Sequence, residues 1–356
     1  MGNVLMTKRL LNGEWVRARA PLRIGFAGGG TDLSPFCDEH VGYVMNATIS
    51  LFAYAHLSEN AKGVVNFEAA ELGFSWTGPA DPMLPICKGT ALHAGVYNRI
   101  VRDFNNGQPL CVNIRTTVDV PSGSGLGGSS ALVVALIMAF SEYLRLPLGE
   151  YDVARLAYEI ERHDLRISGG RQDQYAAAFG GFNFMEFYAG DKVVINPLRL
   201  QQSVIQELEA SLLLYFTGTS RDSAQVIEAQ QTQIRLGASL THDAMLALKR
   251  EATEMKEALL TGRFDDVADT MARGWLAKKA TASEVSTSEI ERVLKIALTN
   301  GARAGKVSGA GGGGFIFILC SAAERYRVQN ALKPERGHVL PAVFTNAGAT
   351  AWRQTS

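Results

Sequence analysis

Pro121-Ser-Gly-Ser-Gly-Leu-Gly-Gly-Ser-Ser-Ala131 decides how this chain is read. Val118-Asp119-Val120 closes an extended segment before it, and Ala131-Leu-Val-Val-Ala-Leu-Ile-Met-Ala-Phe140 follows as ten apolar residues without a break. A turn of small residues feeding a buried helix is suited to an anion. Glycine lets backbone N–H groups come close, and the helix start adds unpaired donors and a positive dipole end. The stretch predicts a phosphate-binding loop made of Pro121, Ser122, Gly123, Ser124, Gly125, Leu126, Gly127, Gly128, Ser129 and Ser130, with Leu126 as its apolar anchor. Ser129 and Ser130 can cap the helix or bind a phosphate-bound Mg²⁺. A P-loop is excluded, because GxxxxGK[ST] needs a lysine and none lies between Lys88 and Lys192. Gly123–Gly128 matches GxGxxG, but Glu142, the acid near the spacing a dinucleotide fold requires, falls inside the helical run. An ordinary Gly/Ser connection capped by serine also stays open.

Working outward, 356 residues exceed one hydrophobic core, so two domains are expected, 1–196 and 197–356. Lys+Arg 35 against Asp+Glu 35 leaves no net charge, which gives no ground for a nucleic-acid or membrane surface. Cys37, Cys87, Cys111 and Cys320 show no CxxC spacing and read as reduced core or near-core residues of a cytoplasmic protein. The histidines have no zinc-ligand spacing. Met1–Leu10 lacks an apolar signal core, and no apolar run is long enough to span a bilayer.

Val16–Ala27 alternates as a strand, with Pro21 implying an edge or bulge, and ends in Gly28-Gly29-Gly30-Thr31-Asp32. Strands are expected over Val41–Leu57, Val64–Trp76 and Leu110–Val118, with a helix over Lys88–Phe104. Gly149–Leu165 is an amphipathic helix, followed by Ser168-Gly169-Gly170-Arg171-Gln172-Asp173, a short helix and a hairpin through Phe182–Ile195. Beyond Pro197 the chain is helix-rich, and Ser308-Gly-Ala-Gly311-Gly312-Gly-Gly314 leads into the strand Phe315–Cys320.

Three glycine clusters in this order resemble the signature motifs of the GHMP kinases, whose central motif PxxxGLGSSA is met by Pro121, Gly125, Leu126, Gly127, Ser129, Ser130 and Ala131, with Gly128 as an extra small residue. Within that superfamily Arg19–Asp32, Pro121–Ser130 and Gln172–Phe187 are most similar to the D-glycero-D-manno-heptose 7-phosphate kinases. The resemblance implies an α+β fold of two domains: an N-terminal α/β domain with the glycine loop and a ferredoxin-like C-terminal domain, with ATP and Mg²⁺ between them. It also implies transfer of the γ-phosphate to C1 of the heptose phosphate, making the 1,7-bisphosphate for nucleotide-activated heptose and surface polysaccharide. Expected partners are small molecules only, with a homodimer as the assembly to consider. The alternatives are a kinase for fucose, galactose or glucuronate, and a non-catalytic ligand sensor.

By the same resemblance Asp173 is the catalytic aspartate and Arg23 its cationic neighbour; helix capping and a solvated strand position are the respective alternatives. Glu161 matches the Mg²⁺-binding glutamate. The four-residue steps Val153, Ala157, Glu161 independently put its carboxylate on the inward seam without a local cation partner, though a partly exposed position stays open. Gly28, Gly29, Gly30, Thr31 and Asp32 are the expected sugar contacts, with Asp32 alternatively a turn residue. Gly311 and Gly312 of the third cluster are placed on the substrate side, bracing the first loop, unless the cluster is a plain linker. The sugar's own phosphate needs cations, for which Arg171, Lys88, Arg221 and the Lys278-Lys279 pair are the candidates, Arg171 foremost because it sits two residues from Asp173.

Overall fold

The computed structural model describes residues 10, 13–219 and 223–355. Its first sheet has eight strands. These are β1 (Glu14–Ala27), β2 (Gly42–Glu59), β3 (Val64–Ala69), β4 (Phe74–Pro79), β5 (Val112–Val118), β6 (Phe182–Phe187), β7 (Val193–Pro197) and, from the far end of the chain, β12 (Thr350–Thr355). Their order is β12-β1-β2-β5-β3-β4, with β6 paired to β2 and β7 to β6; β3 and β5 run parallel and the other pairs antiparallel. The alternation of β1 buries Ala18, Ala20, Leu22 and Ile24. Its register shifts between Pro21 and Leu22, where proline has no N–H for the ladder.

Helices α1 (Phe36–His40), α2 (Ala91–Phe104), α3 (Gly128–Leu144), α4 (Glu150–Glu159) and α5 (Gln172–Phe179) belong with this sheet. α3 packs on β1 and β2 and is buried nearly all round, the fate expected of a helix apolar on every face. α4 continues into one π turn, Ile160–Asp164.

The second domain contains α6 (Gln202–Ser211), β8 (Leu212–Phe216), α7 (Ser223–Arg235), α8 (Ser239–Thr261), α9 (Phe264–Lys279), α10 (Ser288–Thr299), β9 (Ala302–Val307), β10 (Phe315–Cys320), α11 (Arg325–Leu332) and β11 (His338–Pro341). Its antiparallel sheet runs β11-β8-β10-β9, which is the 4-1-3-2 order of a ferredoxin-like domain. Among the described residues no helix is long and apolar enough to cross a membrane.

Three expectations change. Val64–Trp76 is two strands, because Gly73 turns the chain in a left-handed conformation between them. Strand β9 was not expected, since Ala302-Arg-Ala-Gly-Lys-Val307 carries glycine and little β-branching. Residues 197–356 are not one unit either: Phe344 bridges to Ile49 and β12 pairs with β1, so the last segment returns to the first sheet.

Candidate active site

A cleft of about 530 Å³ lies where the loops of the two domains meet. Residues 121–125 and 127–130 form one wall. Leu126 is fully buried beneath them, and its carbonyl accepts the Arg23 N–H at 3.0 Å, so the anchor expected from the sequence ties the loop to β1. Gly125 (φ 81°) and Gly127 (φ 75°) are left-handed, and both have crowded α-carbons. A Cβ on Gly125 would stand 2.7 Å from the Ser308 carbonyl oxygen, and one on Gly127 would stand 3.3 Å from the Asp173 carboxyl carbon. Leu72, Leu92, Val118 and Val120 give the cleft apolar lining as well.

Arg23 and Asp173, 150 residues apart, meet in this cleft. Arg23 Nε donates to Asp173 Oδ1 at 2.8 Å, its second nitrogen Nη2 lies 2.6 Å from the same oxygen, and Nη1 donates to the Gly125 carbonyl at 2.6 Å. One guanidinium thus holds both the phosphate loop and the carboxylate. Asp173 lies in the first turn of α5 but caps nothing. That service comes from Asp32, whose Oδ2 accepts the N–H of Arg171 at 2.9 Å and of Gln172 at 3.1 Å, while Oδ1 accepts Gly30 N–H at 3.1 Å. Asp173 is therefore free of the capping alternative and presents a carboxylate, about a quarter exposed, that can take a proton.

Glu161 is buried behind that wall, in the π turn. Its Oε2 accepts Ser130 Oγ–H at 2.7 Å and the Gln174 amide, whereas Oε1 accepts no hydrogen bond and has only the Arg162 guanidinium 3.8 Å away. Burial pushes this carboxyl above the usual range, against the pull of Arg162, Gln174 and Ser130. A buried carboxylate oxygen without a donor, beside a serine hydroxyl on the cleft wall, is a donor set that fits a hard divalent cation. Ser130 makes this contact; Ser129 lines the cleft without it.

Of the first glycine cluster, Gly30 and Asp32 line the cleft. Gly28, Gly29 and Thr31 do not; Thr31 Oγ1 donates to the carbonyls of Gly28 and Tyr43, both at 2.8 Å, and shapes the loop instead. The third cluster braces the second loop rather than the first. Ser308 Oγ donates to the Gly125 carbonyl at 2.7 Å, and Phe315 N–H donates to that of Ser124 at 3.0 Å. Gly311 and Gly312 lie against Val285, whose carbonyl accepts Gly312 N–H at 2.8 Å, and neither lines the cleft.

The basic candidates separate cleanly. Arg171 turns away: Nη1 donates to the carbonyls of Tyr188 (3.1 Å) and Gly190 (2.6 Å), and the guanidinium is not in the cleft. Lys88 is exposed outside it, and Arg221 lies outside the described residues. Lys278 lines the cleft, whereas Lys279 pairs with Glu291 at 3.0 Å on the surface. Arg162, Gln172 and Gln230 also line it and were not anticipated. Arg162 and Gln172 adjoin Glu161 and Asp173 in sequence, a usable signal; Gln230 offers none.

Comparison with known proteins agrees with this fold. Residues 91–181 match the GHMP kinases N terminal domain and residues 255–339 the GHMP kinases C terminal domain. The chain is 46% identical over 338 residues to a D-glycero-alpha-D-manno-heptose 7-phosphate kinase of Campylobacter jejuni, covering 95% of this chain and 99% of the relative. A crystal structure described as a D-glycero-D-manno-heptose 1-phosphate kinase from Bacteroides thetaiotaomicron superimposes with TM-score 0.81 at 41% identity, covering 96% of this chain and all of the other. Methanococcus jannaschii mevalonate kinase shares the fold, with TM-score 0.73 at 15% identity over 92% of this chain and 98% of its own. With both halves of the family's fold present and this level of identity over nearly its whole length, the chain belongs to the GHMP kinases.

Proposed function

We propose that this kinase transfers the γ-phosphate of ATP to the C1 hydroxyl of D-glycero-D-manno-heptose 7-phosphate, giving the 1,7-bisphosphate and ADP. The observation that carries the reading is the Arg23–Asp173 pair, locked against the glycine loop at 2.6–2.8 Å and facing the cleft. The heptose phosphate is supported by the names of the relatives at 46% and 41% identity.

Asp173 accepts the proton of the C1 hydroxyl as its oxygen bonds to the γ-phosphorus and the bond to the β-phosphate oxygen breaks. Arg23 orients the Asp173 carboxylate and neutralises charge on the transferring group. Backbone N–H groups along Gly123–Gly128 and the start of α3 receive the nucleotide phosphates, and the apolar lining residues Leu72, Leu92, Val118 and Val120 take the base. Glu161 and Ser130 would hold Mg²⁺, which when bound neutralises phosphate oxygens. Among the described residues no cluster of three or more His, Cys, Asp or Glu is gathered to hold a metal, so the remaining ligands would be phosphate oxygens or water. Asp32 holds the first turn of α5, and so Asp173, in place.

A screen of ADP release over heptose 7-phosphate, free heptose, fucose, galactose, glucuronate and mevalonate, with and without Mg²⁺, tests the assignment. Mg²⁺-dependent turnover highest on heptose 7-phosphate is expected. Higher turnover on another acceptor overturns the substrate, and no turnover on any overturns the enzyme in favour of a ligand sensor.

A further inference from the structure

One cation in the cleft is not salt-bridged to a carboxylate among the described residues. Lys278, in the last turn of α9, is buried, and its Nζ donates to the Gly29 carbonyl at 2.9 Å and to Gln230 Oε1 at 3.4 Å. Among the described residues it makes no ion pair, whereas its neighbours in the cleft are engaged. Arg23 is bound to Asp173, and Arg162 donates to the carbonyls of Gly170 and Ile167. Gln230 is itself buried and fixed, its amide donating to Thr281 Oγ1 at 2.7 Å. Gly30 lets the ammonium lie against the first loop, since a Cβ there would stand 2.8 Å from Nζ. Burial pushes the Lys278 pKa down to about 8, with Asp32 opposing and Arg23 adding to the fall. An arriving anion reverses that penalty.

The location says which anion. Lys278 and Gln230 come from α9 and α7 of the second domain, whereas the glycine loop, the start of α3 and the apolar lining residues all come from the first. The nucleotide phosphates already have those donors. Gly30 and Asp32, which line the cleft with Lys278, belong to the loop that follows β1 and not to the glycine loop. We propose that Lys278, oriented by Gln230, receives the phosphate that the acceptor sugar already carries, so that the enzyme selects a phosphorylated sugar over the free sugar. This rests on the heptose 7-phosphate reading and names the residue that would impose it.

The test compares wild type with Lys278→Met, Lys278→Arg and Gln230→Met. Paired acceptors are heptose 7-phosphate with heptose, and mannose 6-phosphate with mannose; nucleotide affinity is titrated separately and each variant is checked by thermal melting. Loss of a charged hydrogen-bond donor should raise KM for the phosphorylated member at least about tenfold in Lys278→Met, leaving the free sugar and ATP within about twofold. Lys278→Arg should recover part of the loss, and Gln230→Met, which keeps the charge, should lose less than Lys278→Met. A rise for ATP instead would assign the lysine to the transferred phosphate, and an equal loss on both members of a pair would assign it to the chemistry or the fold; either overturns the proposal. A wild type that prefers free sugars also overturns it. A wild type that rejects the heptose but uses mannose 6-phosphate in a Lys278-dependent way would sink the heptose reading while leaving the phosphate site standing.

Discussion

At the scale of single residues, the distinction between base and cap is already drawn by the neighbours of Asp173. Because Asp32 accepts the first N–H groups of α5, Asp173→Asn forfeits no cap, and its stability cost, about 1–3 kcal/mol, comes from leaving the buried Arg23 without its charged partner. The same change should lower kcat by roughly 10²–10⁴ with both substrates still bound, since the amide takes no proton and Arg23 loses its charged partner. Thermal melting and steady-state turnover measure the two effects, and a near-normal rate would remove Asp173 from the chemistry. Arg23, Asp173 and Glu161 were singled out by resemblance to a family rather than by spacing, and the structure brings Arg23 to Asp173 and Glu161 to Ser130. Arg171 was misread because closeness in sequence is not a shared face. It stands at the helix start with its backbone N–H on Asp32 and its side chain on the 188–190 hairpin turn, while Asp173, two residues on, points into the cleft. The Lys278-Lys279 pair splits for the same reason, adjacent helical residues facing different ways.

At the scale of elements, the glycine loop is held rather than loose. Arg23 and Ser308 both donate to the Gly125 carbonyl, so a side chain added here presses on β1 or on the second domain. Gly127→Val puts a β-branched residue at φ 75° and a Cβ against Asp173. ATP affinity should fall by at least ~2 kcal/mol and kcat with it, while the strained valine lowers the melting temperature by several degrees without unfolding the domain. Calorimetric titration checks this, and unchanged affinity would make the loop a mere connector. Long periodic elements such as β1, β2 and α3 could be read directly, because burial imposes their pattern. Strands β9 and β12 could not: one contains Gly305 and charged Arg303 and Lys306, and the other is a polar edge strand whose partner, β1, lies at the opposite end of the chain. The inward seam of Val153, Ala157 and Glu161 came out as expected even though the helix passes into a π turn at Ile160.

At the scale of the molecule, the two domains are fastened through the site itself. Lys306 on β9 donates to the carbonyls of Gly25 and Phe26 at 3.0 Å, beside the Lys278 bond to Gly29 and the Ser308 bond to Gly125. Burial, with Lys278 and Arg23 adding to it and Glu251 opposing, pushes the Lys306 pKa from 10.5 down to about 7. Between those values the unfolded chain binds the proton and the native chain does not, so this group's contribution to stability rises with pH through that window. It is complete above the ordinary lysine value and lost as pH falls to about 7. Lys306→Met lacks this slope. Urea unfolding of both proteins at pH 7, 8 and 9 should therefore show the difference moving steadily in favour of wild type, and parallel curves would contradict the lowered pKa of this half-buried lysine.

Phosphorylation of the anomeric hydroxyl of a sugar that already bears a phosphate, in the Arg23–Asp173 cleft, leaves a product with a distinct signature. The most direct measurement is the phosphorus NMR spectrum of the wild-type reaction with ATP, Mg²⁺ and D-glycero-D-manno-heptose 7-phosphate. A new phosphate resonance coupled to the anomeric proton is expected, growing in step with ADP while the 7-phosphate signal persists. ADP formed without that coupling, or a new phosphate on any other carbon, would contradict it.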